Sequence, residues 1–163
     1  MGVAEQLWVL AGVAYAMLLG GVIGFERELK NRPAGFRTHM LVAGAAAFLI
    51  GLGQLLMLDP NYTRHDLLTV DPLRLVEAVV AGVSFIGAGT IFAHRSGAAI
   101  AGITTAASLL MVAVIGVSVG LRYFLIATAV TLLTLAVLTV LNVFERRLLA
   151  RAKDNQGNDR RER

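Results

Sequence analysis

The sequence predicts an all-α integral membrane protein built as a bundle of five transmembrane helices. Hydrophobic residues make up 56% of the 163-residue chain and charged residues 16%, against about 25% charged residues in an ordinary soluble domain. The mean hydropathy is +0.70. The charges also gather between long uncharged runs, each close to the ~20 residues that cross the hydrocarbon of a bilayer. Together these features are typical of a multi-pass membrane protein.

The first predicted span covers residues 7–25, a run without a charge. Small residues recur at every fourth position along it: Gly12, Ala16, Gly20 and Gly24. This spacing places them on one helix face, so we expect a helix-packing stripe there. Ala14–Ala16 resembles a signal-peptide cleavage site, but no basic region precedes it and the apolar run continues beyond it. We therefore expect the segment to stay in the protein as a span.

The remaining apolar runs predict spans at residues 39–58, 73–93, 100–120 and 123–144. Thr38 is a candidate N-cap for the second span. The fourth span carries a second pair of glycines at GxxxG spacing, Gly116 and Gly120, for which we also expect helix packing. We assign residues 1–150 to one transmembrane domain and residues 151–163 to a basic cytoplasmic tail.

The distribution of basic residues predicts the orientation of the five spans. Of the 15 lysine and arginine residues, all but Arg64, Arg74 and Arg122 lie on the side of the first loop and the C-terminal tail. Basic residues favour the cytoplasmic side, so we predict the N-terminus outside and the C-terminus inside. The net charge of +4 is explained by this asymmetry. Aromatic residues do not alternate with the basic ones, which argues against nucleic-acid binding.

The third predicted span is unusual because it contains a carboxylate and several glycines. Glu77 is an acidic residue in an apolar run that also holds Gly82, Gly87 and Gly89. A charge in a span is costly and usually faces protein or a wet cavity. Glycines permit close approach of a neighbouring backbone or mark a bend. The pattern therefore predicts that this span lies inside the bundle.

The sequence allows three interpretations of Glu77. The carboxylate can form an ion pair with Arg74, one turn earlier, or with Arg122. It can bind a cation or proton at the mouth of a cavity, with Asp71 and Arg74 as neighbouring candidates. It can also face lipid and extend toward the interface.

Two further polar features allow alternative interpretations. The segments 87–90 and 102–105 are either helix discontinuities, as in transporter sites, or places of close packing without a break. Around the first loop, Glu26, Arg27 and Arg37 either set the topology or form a buried Glu26–Arg37 network that latches the first two helices and gates or docks a partner.

The sequence contains no motif for enzyme chemistry. Cysteine is absent, the three histidines lack metal-ligand spacing, and no phosphate-binding Gly-Lys-Ser/Thr or Ser/His/Asp arrangement occurs. We therefore expect no enzymatic activity and no resident cofactor.

Three segments in order carry a family resemblance: GGVIGFERELKNRPAGFRTHMLV, DPLRLVEAVVAGVSFIGAGTIF and GITTAASLLMVAVIGVSVG. They resemble the MgtC/SapB family of bacterial membrane proteins over roughly residues 20–141. The resemblance implies an inner-membrane protein linked to magnesium homeostasis, adaptation to low magnesium and, in some pathogens, survival in macrophages. It also implies an alternative role, a non-transporting regulator that binds other membrane proteins such as the F-type ATP synthase.

The resemblance also marks particular positions. The signature residues are Glu26, Arg27, Arg37, Thr38, Asp71, Arg74, Gly82, Gly87, Gly89, Thr104 and Thr105. This chain departs from the family in two respects: many members have glutamine in place of Glu77, and longer members carry a soluble C-terminal domain. We expect either cation or proton transport near Glu77 and the third span, or regulation of a membrane partner. In both cases we expect a homo-oligomer in the bilayer.

Overall fold

The computed structural model describes residues 2–59, 71–93 and 102–140, which form five helices. These are α1 (Val3–Leu29), α2 (Phe36–Leu58), α3 (Pro72–Ala93), α4 (Ile103–Gly120) and α5 (Phe124–Val140). The predicted basic tail and the end of the fifth predicted span lie outside the described residues.

The helical class is confirmed, and four of the helices are long and apolar enough to cross a membrane. They are α1, α2, α3 and α4. Helix α5 is apolar but shorter over its described length. One compact unit extends to Thr131 and a second begins at Leu132, so the packing described below concerns the part of the chain before residue 132.

The helix boundaries differ from the predicted spans because a charge does not stop a helix. Helix α1 covers residues 3–29, not only the uncharged run 7–25, since glutamate, arginine and leucine are good helix formers. The prediction that Thr38 caps the second helix is wrong. Its N-cap is Gly35, and the Glu28 carboxylate of α1 accepts a hydrogen bond of 2.7 Å from the Phe36 amide.

Helix α4 begins at Ile103, three residues later than predicted, because Gly102 adopts a left-handed conformation with φ of 97°. A Cβ on Gly102 would lie 2.8 Å from the carbonyl oxygen of Thr90 on α3. Glycine therefore satisfies two demands at this point, the positive φ and the close approach of another backbone.

Helices α1, α2 and α4 pack closely through glycines, and we call them the three-helix core. A Cβ on Gly20 would lie 2.6 Å from the carbonyl oxygen of His39, and one on Gly24 would lie 2.8 Å from the Cα of Phe36. A residue later in α1 therefore contacts a residue earlier in α2, so the two helices are antiparallel. Two members of the stripe predicted on the first span, Gly20 and Gly24, thus lie against α2 of the same chain.

The second glycine pair joins α4 to α2. A Cβ on Gly116 would collide with the carbonyl oxygen of Ala43, and one on Gly120 would lie 2.7 Å from the Cβ of Ile50. A residue later in α4 therefore contacts a residue later in α2, so the two helices run in the same direction. Gly12 on α1 faces Val119 at 3.8 Å, and Ala16 is fully buried.

Helix α3 contacts the core through one face only. Val79, Val83 and Gly87 are buried, but the opposite face is exposed and Phe85 keeps 82% of its surface accessible. The prediction that this span lies inside the bundle is therefore wrong for the part of the chain that the structure describes. The small residues of α1, α2 and α4 let those three helices close the core on their own, and α3 lies on their outside.

Candidate functional site

A charged cluster lies at the C-terminal end of α1. The Nε atom of Arg27 donates a 2.5 Å hydrogen bond to the Glu26 carboxylate, and Lys30 pairs with the other oxygen of the same carboxylate. Only 1% of Arg27 is exposed, and its Nη2 atom has no hydrogen-bond partner among the described residues. A buried guanidinium requires such pairing, because removing a charge from water is costly.

A fully buried histidine connects α2 to α4 near the same end of the core. The Nδ1 atom of His39 lies 2.9 Å from the carbonyl oxygen of Gly35, and its Nε2 atom lies 3.1 Å from the hydroxyl of Ser108. That hydroxyl is also 2.8 Å from the carbonyl oxygen of Thr105, to which it can donate. The side chain of His39 is 0% exposed.

The hydrogen-bond pattern restricts the protonation of His39. A carbonyl oxygen only accepts, so the bond to Gly35 places a hydrogen on Nδ1. The Ser108 hydroxyl has one hydrogen. It either donates that hydrogen to Nε2 of a neutral His39, or donates to the Thr105 carbonyl and accepts from a protonated Nε2. This arrangement can therefore accept a proton by rotating one hydroxyl group.

Of the two alternatives for the charges around the first loop, the Glu26–Arg37 network is not formed among the described residues. Glu26 pairs with Arg27 and Lys30, whereas Arg37 is exposed and Thr38 is half-buried. The reason is helical geometry. Arg37 lies two positions from the buried His39, so the two side chains point to nearly opposite sides of α2.

The predicted candidates on the third span do not converge. Asp71 accepts a 2.9 Å hydrogen bond from the Leu73 amide and so caps the first turn of α3. Arg74 and Glu77 are both exposed, and neither they nor Arg122 form an ion pair within the described residues. In those residues no group of three or more acidic or histidine side chains is placed to hold a metal ion.

The two glycine- and threonine-containing segments do lie together, as close packing. Helix α3 is continuous through residues 87–90, where the Thr90 hydroxyl donates to the Gly87 carbonyl oxygen at 2.7 Å. A Cβ on Gly87 would lie 3.2 Å from that of Ala106 on α4. Thr105 is buried and Thr104 exposed, whereas Gly82 and Gly89 would have no neighbour within 4 Å of an added Cβ.

Sequence reasoning did not identify Ser108 or its bond to His39. The histidines lack metal-ligand spacing in the sequence, and the partner of His39 is a hydroxyl 69 positions away. A usable signal was present: Thr105 and Ser108 are small polar residues one helical turn apart in a run without charged residues.

The fold and the buried polar cluster define a multi-pass α-helical membrane protein. Residues 13–147 match the MgtC family, which is more than half of the chain. The chain belongs to the MgtC family, and the predicted resemblance is confirmed.

Several curated relatives are similar to this chain. Protein MgtC of Brucella abortus (strain 2308) is 38% identical over 127 residues, covering 78% of this chain and 48% of the relative. Protein SapB of Bacillus subtilis (strain 168) is 34% identical over 71% of this chain and 49% of its own length. The "Putative magnesium transporter YhiD" of Escherichia coli (strain K12) is 37% identical over 82% of this chain and 60% of its own length.

The chain spans about half the length of the curated relatives it matches. No solved structure matches it significantly.

Proposed function

We propose that this chain is a non-enzymatic, multi-pass protein of the bacterial inner membrane that acts in magnesium homeostasis and adaptation to low magnesium. Membership of the MgtC family supports this role, as does the similarity to the relative named "Putative magnesium transporter YhiD". The proposed topology has five spans, with the N-terminus outside and the C-terminus in the cytoplasm.

The topology can be tested with reporters fused after Arg163. A fluorescent protein should be active there, and alkaline phosphatase should be inactive, because the former matures in the cytoplasm and the latter outside it. The described basic residues agree with this orientation, since Lys30, Arg32 and Arg37 lie at the end where α1 meets α2. Phosphatase activity after Arg163 would reverse the proposed orientation.

The first proposed mechanism is passage of a cation or protons near Glu77 on α3. One observation carries it: Glu77 is an exposed carboxylate on a helix of membrane-spanning length. A carboxylate facing hydrocarbon is costly, so we infer that water, an ion or a polar protein surface meets Glu77 in the membrane. Mg²⁺ is the proposed substrate or effector.

A flux assay tests this mechanism. Purified protein in liposomes loaded with Mg²⁺- and pH-sensitive dyes should accelerate movement of one of the two ions over protein-free liposomes. Glu77→Gln should remove most of that flux, because glutamine keeps the shape and loses the charge. Glu5→Gln is the matched control. Among the residues that the structure describes, its carboxylate accepts a hydrogen bond from the nearby Gly2 amide, so flux should persist. Flux unchanged by Glu77→Gln would eliminate the site.

The second proposed function is a non-transporting regulator that binds a membrane partner. The exposed face of α3 favours it, since an added Cβ at Gly82 or Gly89 would meet nothing within 4 Å. Such glycines are suited to the close approach of a helix from another protein or another copy of this chain. The family resemblance suggests the F-type ATP synthase as one partner to test.

Reconstitution with the purified ATP synthase distinguishes the two functions. A regulator should change proton pumping by the synthase while showing no ion flux of its own. Gly82→Leu should remove that effect without unfolding the chain, because the position is uncovered. Unchanged pumping in the presence of the wild-type chain would exclude this partner.

A further inference from the structure

A pocket of about 230 Å³ opens at the end of the three-helix core opposite to His39. It lies among α1, α2, α4 and the start of α5. Glycines Gly12 and Gly51 contribute to its lining together with the side chains of Trp8, Gln54, Arg122 and Phe124. We propose that this pocket binds an anionic phospholipid, with the headgroup phosphate on Arg122 and the upper part of an acyl chain in the pocket.

The backbone conformation at Arg122 supports this proposal. The Tyr123 amide donates to the Ser118 carbonyl at 2.8 Å, and the Arg122 amide donates to the Val119 carbonyl at 2.8 Å. These two bonds form a Schellman motif, in which the residue at the position of Arg122 is usually glycine. Arg122 has φ of 67°, a conformation that residues with a Cβ rarely adopt.

The other end of the core has the same motif with a more usual residue. At the end of α1, the Arg32 amide donates to the Arg27 carbonyl and the Asn31 amide donates to the Glu28 carbonyl, both at 3.0 Å. Asn31 has φ of 50°, which asparagine tolerates well. An arginine in the equivalent position at α4 is not explained by the turn, so its side chain is the better reason for its presence.

The charge of Arg122 also favours an anionic ligand. Of the described residues that line the pocket, Arg122 is the one that is ionisable. Its side chain is exposed and makes no ion pair with the residues described. A guanidinium binds phosphate through paired N–H groups, and the Gln54 amide and the Trp8 indole offer further donors at the pocket. Trp and Arg are also common where membrane-spanning helices reach the lipid headgroups.

The volume of the pocket and the exposure of its lining also favour a phospholipid. Pockets that enclose a whole small molecule usually measure about 300–1,000 Å³, so this pocket takes only part of its ligand. Trp8 is 65% exposed and Phe124 38% exposed, which leaves the pocket open to the surrounding bilayer. Free phosphate would use Arg122 but leave the apolar lining unoccupied, whereas a phospholipid uses both.

The experiment uses Trp8, the single tryptophan of the chain, as a fluorescent probe. The full chain is reconstituted in nanodiscs containing increasing fractions of phosphatidylglycerol or phosphatidylcholine with brominated acyl chains, which quench nearby tryptophan. The same quenching of Trp8 should be reached at a fraction of brominated phosphatidylglycerol about fivefold lower than that of brominated phosphatidylcholine. This factor corresponds to ~1 kcal/mol for one basic residue acting on an anionic lipid.

Three variants test the assignment. Arg122→Gly should remove the preference while keeping the fold, because glycine suits the left-handed position. Arg122→Lys should retain much of it, and Arg37→Gln, at the other end of the core, should leave it unchanged. Equal quenching by the two lipids in the wild type would overturn the proposal, and so would a preference that survives in Arg122→Gly. Displacement of brominated phosphatidylglycerol by inorganic phosphate alone would identify a free anion as the ligand and overturn the lipid assignment.

Discussion

The three-helix core and α3 both contain several glycines, but they use them differently. In the core, Gly20, Gly24 and Gly116 lie against the backbone of a neighbouring helix, so an added Cβ would collide there. On α3, Gly82 and Gly89 would have open space around an added Cβ. The comparison shows that a glycine pattern alone does not distinguish packing within a chain from a surface that is free for another protein.

The difference matters energetically because helices in a membrane associate mainly through close packing and interhelical hydrogen bonds. The core has both: glycine contacts along its length, and the bond from His39 to Ser108 at one end. Helix α3 shares one packed face and leaves its other face, including Glu77, uncovered. We therefore expect substitutions in the two regions to have different effects on stability.

The largest expected effect is that of Gly20→Leu. A Cβ at this position would lie 2.6 Å from the His39 carbonyl oxygen and 2.8 Å from the Cβ of Ala43, so α1 and α2 would have to separate. Overpacking of this kind typically costs about 1–3 kcal/mol and sometimes more. Unfolding of the purified chain in mixed micelles, followed by circular dichroism, measures the loss.

Gly82→Leu is the matched control for this prediction. The same substitution at an uncovered position should change the free energy of unfolding by only about 0.5 kcal/mol. Similar losses at Gly20 and Gly82 would show that α3 is packed as tightly as the core, contrary to the structure. Because Gly20 packs within the chain, a loss of oligomers in Gly20→Leu would reflect unfolding as well as any change at an interface.

The next expected effect is that of Ser108→Ala, which removes one hydrogen bond but does not force two helices apart. The substitution leaves Nε2 of the fully buried His39 without its partner, and an unsatisfied buried polar group costs about 1–3 kcal/mol. Ser84→Ala on the exposed side of α3 should cost no more than about 0.5 kcal/mol. The same unfolding measurement applies, and equal effects of the two serine substitutions would contradict a stabilising role for the His39–Ser108 bond.

The helical class and the four long helices could be predicted from the sequence because both follow from local composition. Length and hydropathy define a span whatever its neighbours are. The position of α3 could not be predicted in this way. Glu77 and the glycines Gly82 and Gly89 look like interior residues by their chemistry, yet burial depends on which helices close the core first, and the sequence of α3 does not contain that information.

The same limit applies to the candidate site. Glu26, Arg27 and Arg37 were recognisable as charged residues around the first loop, but the sequence was compatible both with a Glu26–Arg37 network and with charges that only set the topology. The choice depends on which face of each helix is turned inward. The bond between His39 and Ser108 joins residues on helices that are not adjacent in the chain, so no local pattern specifies it.

The smallest expected effect concerns whether a Gly→Ala substitution raises or lowers the stability of the chain. Gly89→Ala should stabilise the isolated chain by about 0.5–1 kcal/mol, because alanine is the better helix former and an added Cβ meets nothing within 4 Å. Gly24→Ala should destabilise it, since its Cβ would lie 2.8 Å from the Cα of Phe36. If the exposed face of α3 is covered by another protein in the bilayer, Gly89→Ala should stabilise the chain in detergent yet weaken that association in the membrane. A stabilising effect in both settings would indicate that this face of α3 contacts only lipid.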